Sequence, residues 1–122
     1  MLTRIMNEAD PAASAADRIL AAIRAVPAGE VAGYGVIARR AGLPGRARLV
    51  ARVLGQNEDP GLPWHRILRS DGRIAFPKDS PYFREQSQRL RAEGVDVRDG
   101  RVRLPKAEDG WTLRSGRRVS RL

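Results

Sequence analysis

The fold is decided by residues 34–55, which read YGVIARRAGLPGRARLVARVLG. On either side of the turn Leu43-Pro44-Gly45, apolar residues recur at i, i+3, i+4 and i+7, the spacing of one helix face. The first set is Tyr34, Ile37, Ala38 and Ala41, and the second is Ala47, Val50, Ala51 and Leu54. Gly42 and Gly55 follow the two sets and are suited to end a helix. The stretch predicts two short amphipathic helices in a helix-turn-helix, whose second helix is the candidate for insertion into a nucleic-acid groove.

Positive charge is concentrated in the same stretch. Between Val31 and Asn57 there are five arginines and no acidic residue. The five are Arg39, Arg40, Arg46, Arg48 and Arg52. Arg48 and Arg52 are four residues apart and so share one side of the second helix. A run of like charge is often only a solvated face, but five arginines without a counter-charge across a helix-turn-helix favour contact with phosphates.

The composition is that of one globular domain with a polyanionic partner. The 122 residues include 23 Lys and Arg against 14 Asp and Glu, a formal net charge of +9. Nucleic acid is a better partner for this charge than a membrane, because no apolar run approaches the ~20 residues needed to span a bilayer. The chain has no cysteine and one histidine, which excludes disulfides, thiolate catalysis and a His/Cys zinc site. We therefore expect no metal and no cofactor.

Further elements are predicted around the helix-turn-helix. One helix begins at Ser14 and stops at Pro27-Ala28-Gly29, and another begins at Ser80-Pro81 and runs to Gly94. Residues 65–69 and 73–76 predict a small hairpin or wing, and residues 95–97 and 102–104 predict a second hairpin around Asp99-Gly100. The fold class is mainly α with small β hairpins. Residues 1–13 form an N-terminal extension, 14–105 the domain, and 106–122 a basic tail that is ordered only if Trp111 docks.

The N-terminus lacks the apolar stretch of a signal peptide, so we expect a cytoplasmic, nucleoid-associated protein. No zipper or long dimerisation helix is visible in the sequence, and we expect a monomer.

The segment Pro63-Trp64-His65-Arg66 carries the most specific motif. It resembles the Pro-Cys-His-Arg active-site signature of the O6-alkylguanine-DNA alkyltransferases, with Trp64 in the place of the alkyl-accepting cysteine. Residues 29–38 are similar to that family's Gly-x-Val-x-Thr/Ser-Tyr-x-x-(Ile/Leu)-Ala stretch, and Ala47-Arg48-Leu49-Val50 resembles its Ala-Arg-x-Val. An indole cannot act as the thiolate nucleophile. The match is therefore to the alkyltransferase-like proteins, which bind alkylated DNA without repairing it directly, and it implies a winged helix-turn-helix like the C-terminal domain of DNA alkyltransferases over residues 14–105.

The resemblance assigns the DNA-contacting positions. Tyr34 matches the tyrosine that helps to rotate the target nucleotide out, and Arg48 matches the arginine that occupies the vacated space. Gly35 and Ala47 lie beside them in the same motifs, and the other helix-turn-helix arginines are expected on phosphates. Extruding a base costs a few kcal/mol, part of which a stacked guanidinium recovers. Taken on their residue types alone, Tyr34 is a core residue and Arg48 a phosphate contact.

The resemblance also assigns a lesion pocket. In the transferases an Asn, the signature His and a Glu form a hydrogen-bonded relay, and Asn57, His65 and Glu93 match these positions. Because the nucleophile is absent, we interpret His65 as a scaffold histidine. Pro63 completes the signature, and Trp64 is expected to form a wall of the pocket. Residues 74–83 match the segment that closes over the flipped base as a lid. Its candidate contacts are Phe76, Lys78 and Tyr82.

These observations predict a non-enzymatic sensor that docks its second helix in the minor groove, flips O6-alkylguanine from duplex DNA and passes the lesion to nucleotide excision repair proteins. Minor-groove docking and the repair partner are implied by the resemblance only. One alternative is a winged-helix regulator that binds DNA without flipping bases. Another is a residual enzyme in which His65 accepts the alkyl group or directs water at it.

Overall fold

Helices make up most of the architecture. The computed structural model describes residues 14–104 and, as backbone only, two short strands beyond them. Its helices are α1 (Ala15–Arg24), α2 (Tyr34–Arg40), α3 (Ala47–Gln56), a 3-10 turn (Trp64–Arg66) and α4 (Pro81–Ala92). Its strands are β1 (Ala32–Gly33), β2 (Ile67–Leu68), β3 (Leu113–Arg114) and β4 (Arg117–Arg118). Among the helices of the described residues, none is long and apolar enough to cross a membrane.

The predicted helix starts are confirmed by their caps. The Ser14 hydroxyl accepts a hydrogen bond from the Asp17 amide at 3.0 Å, and the Ser80 hydroxyl accepts one from the Tyr82 amide at 3.1 Å. Pro81 occupies the first turn of α4, where its missing amide hydrogen costs nothing. These local bonds fix where α1 and α4 begin.

The helix-turn-helix is also confirmed, but the buried face of its second helix differs from the predicted one. α2 and α3 pack on each other and on α1, and Gly42 takes φ +79° to end the α2 region. Val50 and Val53 are the buried residues of α3, whereas Ala51 and Leu54 are only partly buried and line a cleft. The core around this motif contains buried side chains from α1 to β2. Its largest fully buried members are Ile19, Ile23, Val26, Ile37, Val50 and Leu62.

The first predicted hairpin is wrong in its pairing. β2 pairs with β1 in parallel, with Ala32 opposite Ile67 and Gly33 opposite Leu68, and not with residues 73–76. The turn at residues 69–73 is present, and in it the Arg69 amide donates a hydrogen bond to the Arg73 carbonyl at 2.9 Å. Beyond it, Arg73 bridges to Arg101. The pairing with β1 buries Ile67 and Leu68 against two different clusters, which a local hairpin would not do.

The second predicted hairpin is confirmed only at its turn, because residues 95–97 and 102–104 do not pair and the Val102 amide donates instead to the Gly72 carbonyl at 2.9 Å. Asp99 and Gly100 have φ of +52° and +74°, and Arg98 and Arg101 exchange both backbone hydrogen bonds at 3.0 Å. The flanking valines belong to a second core that also contains Leu68 of β2 and Leu90 of α4. In the tail, β3 and β4 pair antiparallel, an element that the sequence pattern did not predict. The predicted docking of Trp111 lies outside the described residues.

Candidate functional site

The 3-10 turn holds Trp64 in place through the two residues that follow it. The Arg66 guanidinium donates to the Val26 carbonyl at 2.9 Å and, through Nε and Nη2, to the Glu93 carboxylate at 3.0 and 2.8 Å. The same carboxylate contacts His65 Nε2 at 2.9 Å and accepts a bond from the Gly29 amide at 3.3 Å. Glu93, the residue that caps α4, thus joins three distant segments behind the turn.

Electrostatics keep Glu93 ionised and His65 neutral. The Arg66 guanidinium lowers the pKa of Glu93 to about 2, against the opposing effect of burial. Burial lowers the pKa of His65, and its bond to Glu93 offsets this only in part. A neutral imidazole that faces a carboxylate through Nε2 carries its proton there. Its Nδ1 is buried and has no hydrogen-bond partner among the described residues.

Asn57 does not join this relay, contrary to the expectation from the resemblance. Its side-chain amide donates to the Asp59 carbonyl at 3.0 Å and its side-chain oxygen accepts from the Asp59 amide at 3.1 Å. These two bonds close a local turn just after α3, so both ends of the Asn57 side chain are engaged two residues away. The structure therefore joins His65 and Glu93 without Asn57.

An open cleft of about 680 Å³ lies beside the turn. Trp64 forms part of its wall and leaves the cleft open. Phe76 meets Trp64 edge to face with ring centroids 6.0 Å apart, and Tyr82 stacks on Phe76 at 5.2 Å. The structure thus brings together the tryptophan and two of the three predicted lid residues. We call Trp64, Phe76 and Tyr82 the aromatic row.

The helix-turn-helix also lines the cleft. Tyr34 at the start of α2 lines it together with Ala51 and Leu54 of α3, and Asn57 lies at the same end. Tyr34 is half-buried, and burial raises the pKa of its hydroxyl. Because Tyr34 borders both the cleft and the helix-turn-helix, the DNA-contacting position and the pocket position predicted for it are compatible.

Four predicted pocket residues lie elsewhere. Pro63 and His65 line a separate recess of about 290 Å³, because the 3-10 turn directs Trp64 to one side and its neighbours to the other. Lys78 is 69% exposed, forms an ion pair with Asp99 at 2.7 Å and does not line the cleft. Glu93 lies behind the turn and supports the pocket wall without lining it.

The predicted phosphate contacts form an unpaired basic surface. The five helix-turn-helix arginines are exposed, and within residues 14–104 none of them forms an ion pair with a carboxylate. Arg46 immediately precedes α3 without a side-chain cap, and Ala47 and Arg48 open the helix. Gly35, at the start of α2, donates its amide to the Ser70 hydroxyl at 3.3 Å.

Sequence reasoning missed several residues of the cleft, and among them Arg89 contacts Trp64. Its guanidinium lies 5.6 Å from the centre of the Trp64 ring and pairs with Glu85 at 2.9 Å. Tyr82, Glu85, Gln86 and Arg89 all line the cleft. They fall at i, i+3, i+4 and i+7, so the helical period of α4 could have identified Arg89 once Tyr82 was chosen.

Comparison with known proteins places this arrangement in a family. The family model of the 6-O-methylguanine DNA methyltransferase DNA-binding domain matches residues 14–95 of this chain. The DNA base-flipping protein of Vibrio parahaemolyticus is 41% identical over 91 residues, which cover 73% of this chain and 89% of that protein. Alkyltransferase-like protein 1 of Schizosaccharomyces pombe is 35% identical over 81 residues, or 66% and 75% of the two chains. This chain is an alkyltransferase-like member of the methyltransferase family.

Solved structures agree with the winged helix-turn-helix expected of an alkyltransferase-like protein. S. pombe Atl1 in complex with damaged DNA containing O6-carboxymethylguanine matches with a TM-score of 0.62 at 33% identity, covering 69% of this chain and 79% of Atl1. Mycobacterium tuberculosis OGT in complex with DNA matches with a TM-score of 0.56 at 28% identity, covering 64% and 48%. The predicted fold class is confirmed.

Proposed function

We propose that this alkyltransferase-like protein is a non-enzymatic sensor of O6-alkylguanine in duplex DNA. The observation that carries the proposal is that Trp64 stands in the wall of an open cleft and does not fill it. A flat indole can pack beside an extruded base and donate one N–H to it. The proposal is supported by the relatives, since Atl1 has been crystallised with O6-carboxymethylguanine DNA and the V. parahaemolyticus relative is a DNA base-flipping protein.

The basic helix-turn-helix would supply the docking surface. In this proposal α3 enters the minor groove and its neighbouring arginines contact phosphates. Tyr34 would displace the target nucleotide toward the cleft it borders, and Arg48, exposed on the first turn of α3, would occupy the vacated space. The exposure of these arginines and the position of Tyr34 are consistent with both roles.

The chemistry available in the pocket favours binding without repair. The sequence contains no thiol, and the only histidine is 5% exposed, with Nε2 bonded to Glu93. His65 lines the recess behind Trp64 and not the cleft, so it presents no free nucleophile to a base in the cleft. This geometry argues against alkyl transfer to His65.

Competition binding tests the sensor. Duplexes that differ only by guanine or O6-methylguanine at one position are compared, with 2-aminopurine next to that position to report unstacking and a radiolabelled methyl group to report transfer. We expect a preference for the lesion, increased 2-aminopurine fluorescence, and no label on the protein or in free methanol. Equal binding without unstacking would favour a regulator that does not flip bases, and transferred label would establish an enzyme.

A sensor that cannot remove the alkyl group must pass the lesion to another system, and we propose nucleotide excision repair, the partner that the family resemblance implies. Incision of an O6-methylguanine duplex by purified excision repair proteins should increase when this protein is added. The undamaged duplex is the control. An unchanged incision rate would contradict the proposed transfer while leaving lesion binding intact.

A further inference from the structure

A second group of exposed arginines lies outside the helix-turn-helix, on a small wing. We use this name for the turn at residues 69–73 and the segment 101–103 that pairs with it. Within the turn, the Arg69 amide donates to the Arg73 carbonyl at 2.9 Å, and Arg73 in turn bridges to Arg101. Backbone hydrogen bonds therefore hold arginines from both segments side by side.

The wing arginines point away from the core. Val102 is buried and separates two exposed arginines, while Ile74 is buried and follows a third. Because successive side chains of an extended segment point to opposite faces, these three arginines lie on the outer face of the wing. Like charges that stand opposite each other destabilise a strand pair, so this surface costs the free protein stability. We call the four exposed arginines of the wing the arginine ridge: Arg69, Arg73, Arg101 and Arg103.

The carboxylates near the ridge do not neutralise it. Asp71 lies 3.8 Å from the Arg73 guanidinium, but both side chains are more than half exposed, so solvent screens the pair. Asp99, in the neighbouring turn, pairs with Lys78 at 2.7 Å. The other three ridge arginines form no ion pair within residues 14–104. The ridge therefore keeps most of its positive charge for an external partner.

The wing packs against the start of α2, the part of the helix-turn-helix that carries Tyr34. The Gly35 amide donates to the Ser70 hydroxyl at 3.3 Å, and a Cβ added to Gly33 would lie 3.1 Å from the Ser70 Cα. Burial raises the pKa of the Tyr34 hydroxyl, and the positive charge of Arg69 opposes that rise. A group of charges is often only a solvated face, but this one adjoins the residue expected to contact the target nucleotide. A duplex that reaches Tyr34 passes beside the ridge.

We propose that the arginine ridge binds phosphates of the duplex on one side of the target nucleotide, beyond those that the helix-turn-helix contacts. Guanidinium groups pair well with phosphate oxygens, and such contacts position a protein on DNA without reading its bases. The ridge goes beyond the proposed function, because it depends on DNA binding and not on recognition of the lesion. It strengthens binding to damaged and undamaged duplexes equally.

Salt titration of the full-length protein tests the ridge. Arg69→Gln, Arg101→Gln, Arg103→Gln and the triple variant are compared with the wild type by fluorescence anisotropy, on a guanine duplex and on an O6-methylguanine duplex. Each phosphate contact contributes about 0.9 to the slope of log affinity against log salt concentration. Each single variant should lose about that much of the slope and the triple variant about 2.7, leaving the salt dependence of the helix-turn-helix. The ratio of the affinities for the two duplexes should not change.

Arg84→Gln is the matched control. Arg84 is exposed on α4, belongs to neither the ridge nor the helix-turn-helix, and forms no ion pair within residues 14–104. Its replacement removes the same charge and should leave the slope unchanged. Because all these side chains are exposed, the variants should fold, which circular dichroism verifies. A slope that is unchanged in the ridge variants, or reduced equally in Arg84→Gln, would overturn the proposal.

Shortened duplexes locate the contact. When the duplex is truncated on the side that the ridge binds, the wild type should lose affinity and become equal to the triple variant, whereas truncation on the other side should keep the difference between the two proteins. No such coupling on either side would contradict the ridge, and so would a changed preference for the lesion in the triple variant. If the ridge fails while the wild type still prefers O6-methylguanine, the proposed function stands. If the wild type shows no preference, the proposed function fails, and the slopes on the guanine duplex still decide the ridge.

Discussion

Replacing Glu93 by Gln should destabilise the protein by roughly 2–3 kcal/mol at pH 7. A carboxyl group whose pKa falls from 4.5 to about 2 on folding contributes approximately 3 kcal/mol when it is ionised. The side chain is 18% exposed, so solvent screening takes off a fraction of that value. The loss arises mainly at Arg66, because its mostly buried guanidinium would keep its hydrogen bond to the Val26 carbonyl but lose its counter-ion.

The pH dependence of this loss has a definite sign. Because the folded-state pKa of Glu93 is depressed, the unfolded chain binds more protons, and stability falls as the pH drops from about 4.5 to 2. Burial also depresses the pKa of His65, which removes stability below its ordinary value of 6.5. The wild-type protein should therefore lose stability in both ranges, whereas the Glu93→Gln variant should keep only the histidine step. The difference between the two proteins should shrink to roughly half by pH 3.

Urea unfolding at pH 7, 5 and 3, followed by circular dichroism, measures both effects. Glu85→Gln is the matched control, since it makes the same chemical change on the same helix in an ion pair that is over 40% exposed at both residues. That control should cost less than about 0.5 kcal/mol. A penalty at Glu93 as small as that of Glu85→Gln, or one that does not change with pH, would refute the argument that Glu93 supports the Trp64 turn electrostatically.

Three further predictions concern DNA binding and the turn before the second core. Arg48→Ala should weaken binding to an O6-methylguanine duplex by about tenfold, and binding to an undamaged duplex by less, because Arg48 acts on the flipped state. Arg52→Ala, one turn away, should weaken binding to the two duplexes equally, and equal losses for Arg48→Ala in the same titrations would show that Arg48 is a phosphate contact. If all five helix-turn-helix arginines contact phosphates, affinity measured by fluorescence anisotropy should fall by roughly 10²–10³ between 50 and 200 mM salt, and a flat response would contradict the docking surface. Gly72 has φ +87°, and the Cβ of Gly72→Ala would clash with the Val102 carbonyl oxygen, so this variant should lose at least about 2 kcal/mol of stability in urea unfolding. The control is Gly45→Ala, at φ +84° in open space, which measures the cost of the backbone strain alone, and similar losses in the two variants would rule out the contact with Val102.

Elements fixed by nearby residues were predictable from the sequence. The helix-turn-helix follows from apolar spacing between Tyr34 and Leu54, and the start of α4 follows from Ser80 and Pro81. The tight turn at Asp99-Gly100 follows from two residues that tolerate positive φ. In each case the atoms that decide the conformation lie within a few positions along the chain, so the pattern of residue types is sufficient.

Elements fixed by distant residues were not predictable in the same way. Residues 65–69 could pair locally or with any other extended segment, and only packing against both cores selected β1 as the partner of β2. Likewise, the sequence position of Lys78 predicted a lid contact, whereas in the folded protein Lys78 pairs with Asp99 at 2.7 Å. The sequence pattern does not show which of several possible partners a segment or side chain will contact, because each partner taken alone could form the same hydrogen bonds or ion pair.

The sequence by itself determined that Trp64 stands at the position of the family's cysteine and that the helix-turn-helix is basic. Only the tertiary structure decided what surrounds that tryptophan. It placed Arg89 over the indole ring, Phe76 and Tyr82 beside it, and Glu93 behind it, where the carboxylate also binds the Gly29 amide 64 positions away. The physical reason is that side-chain type is a property of one residue, whereas a pocket is a set of distances among residues that the chain brings together only on folding.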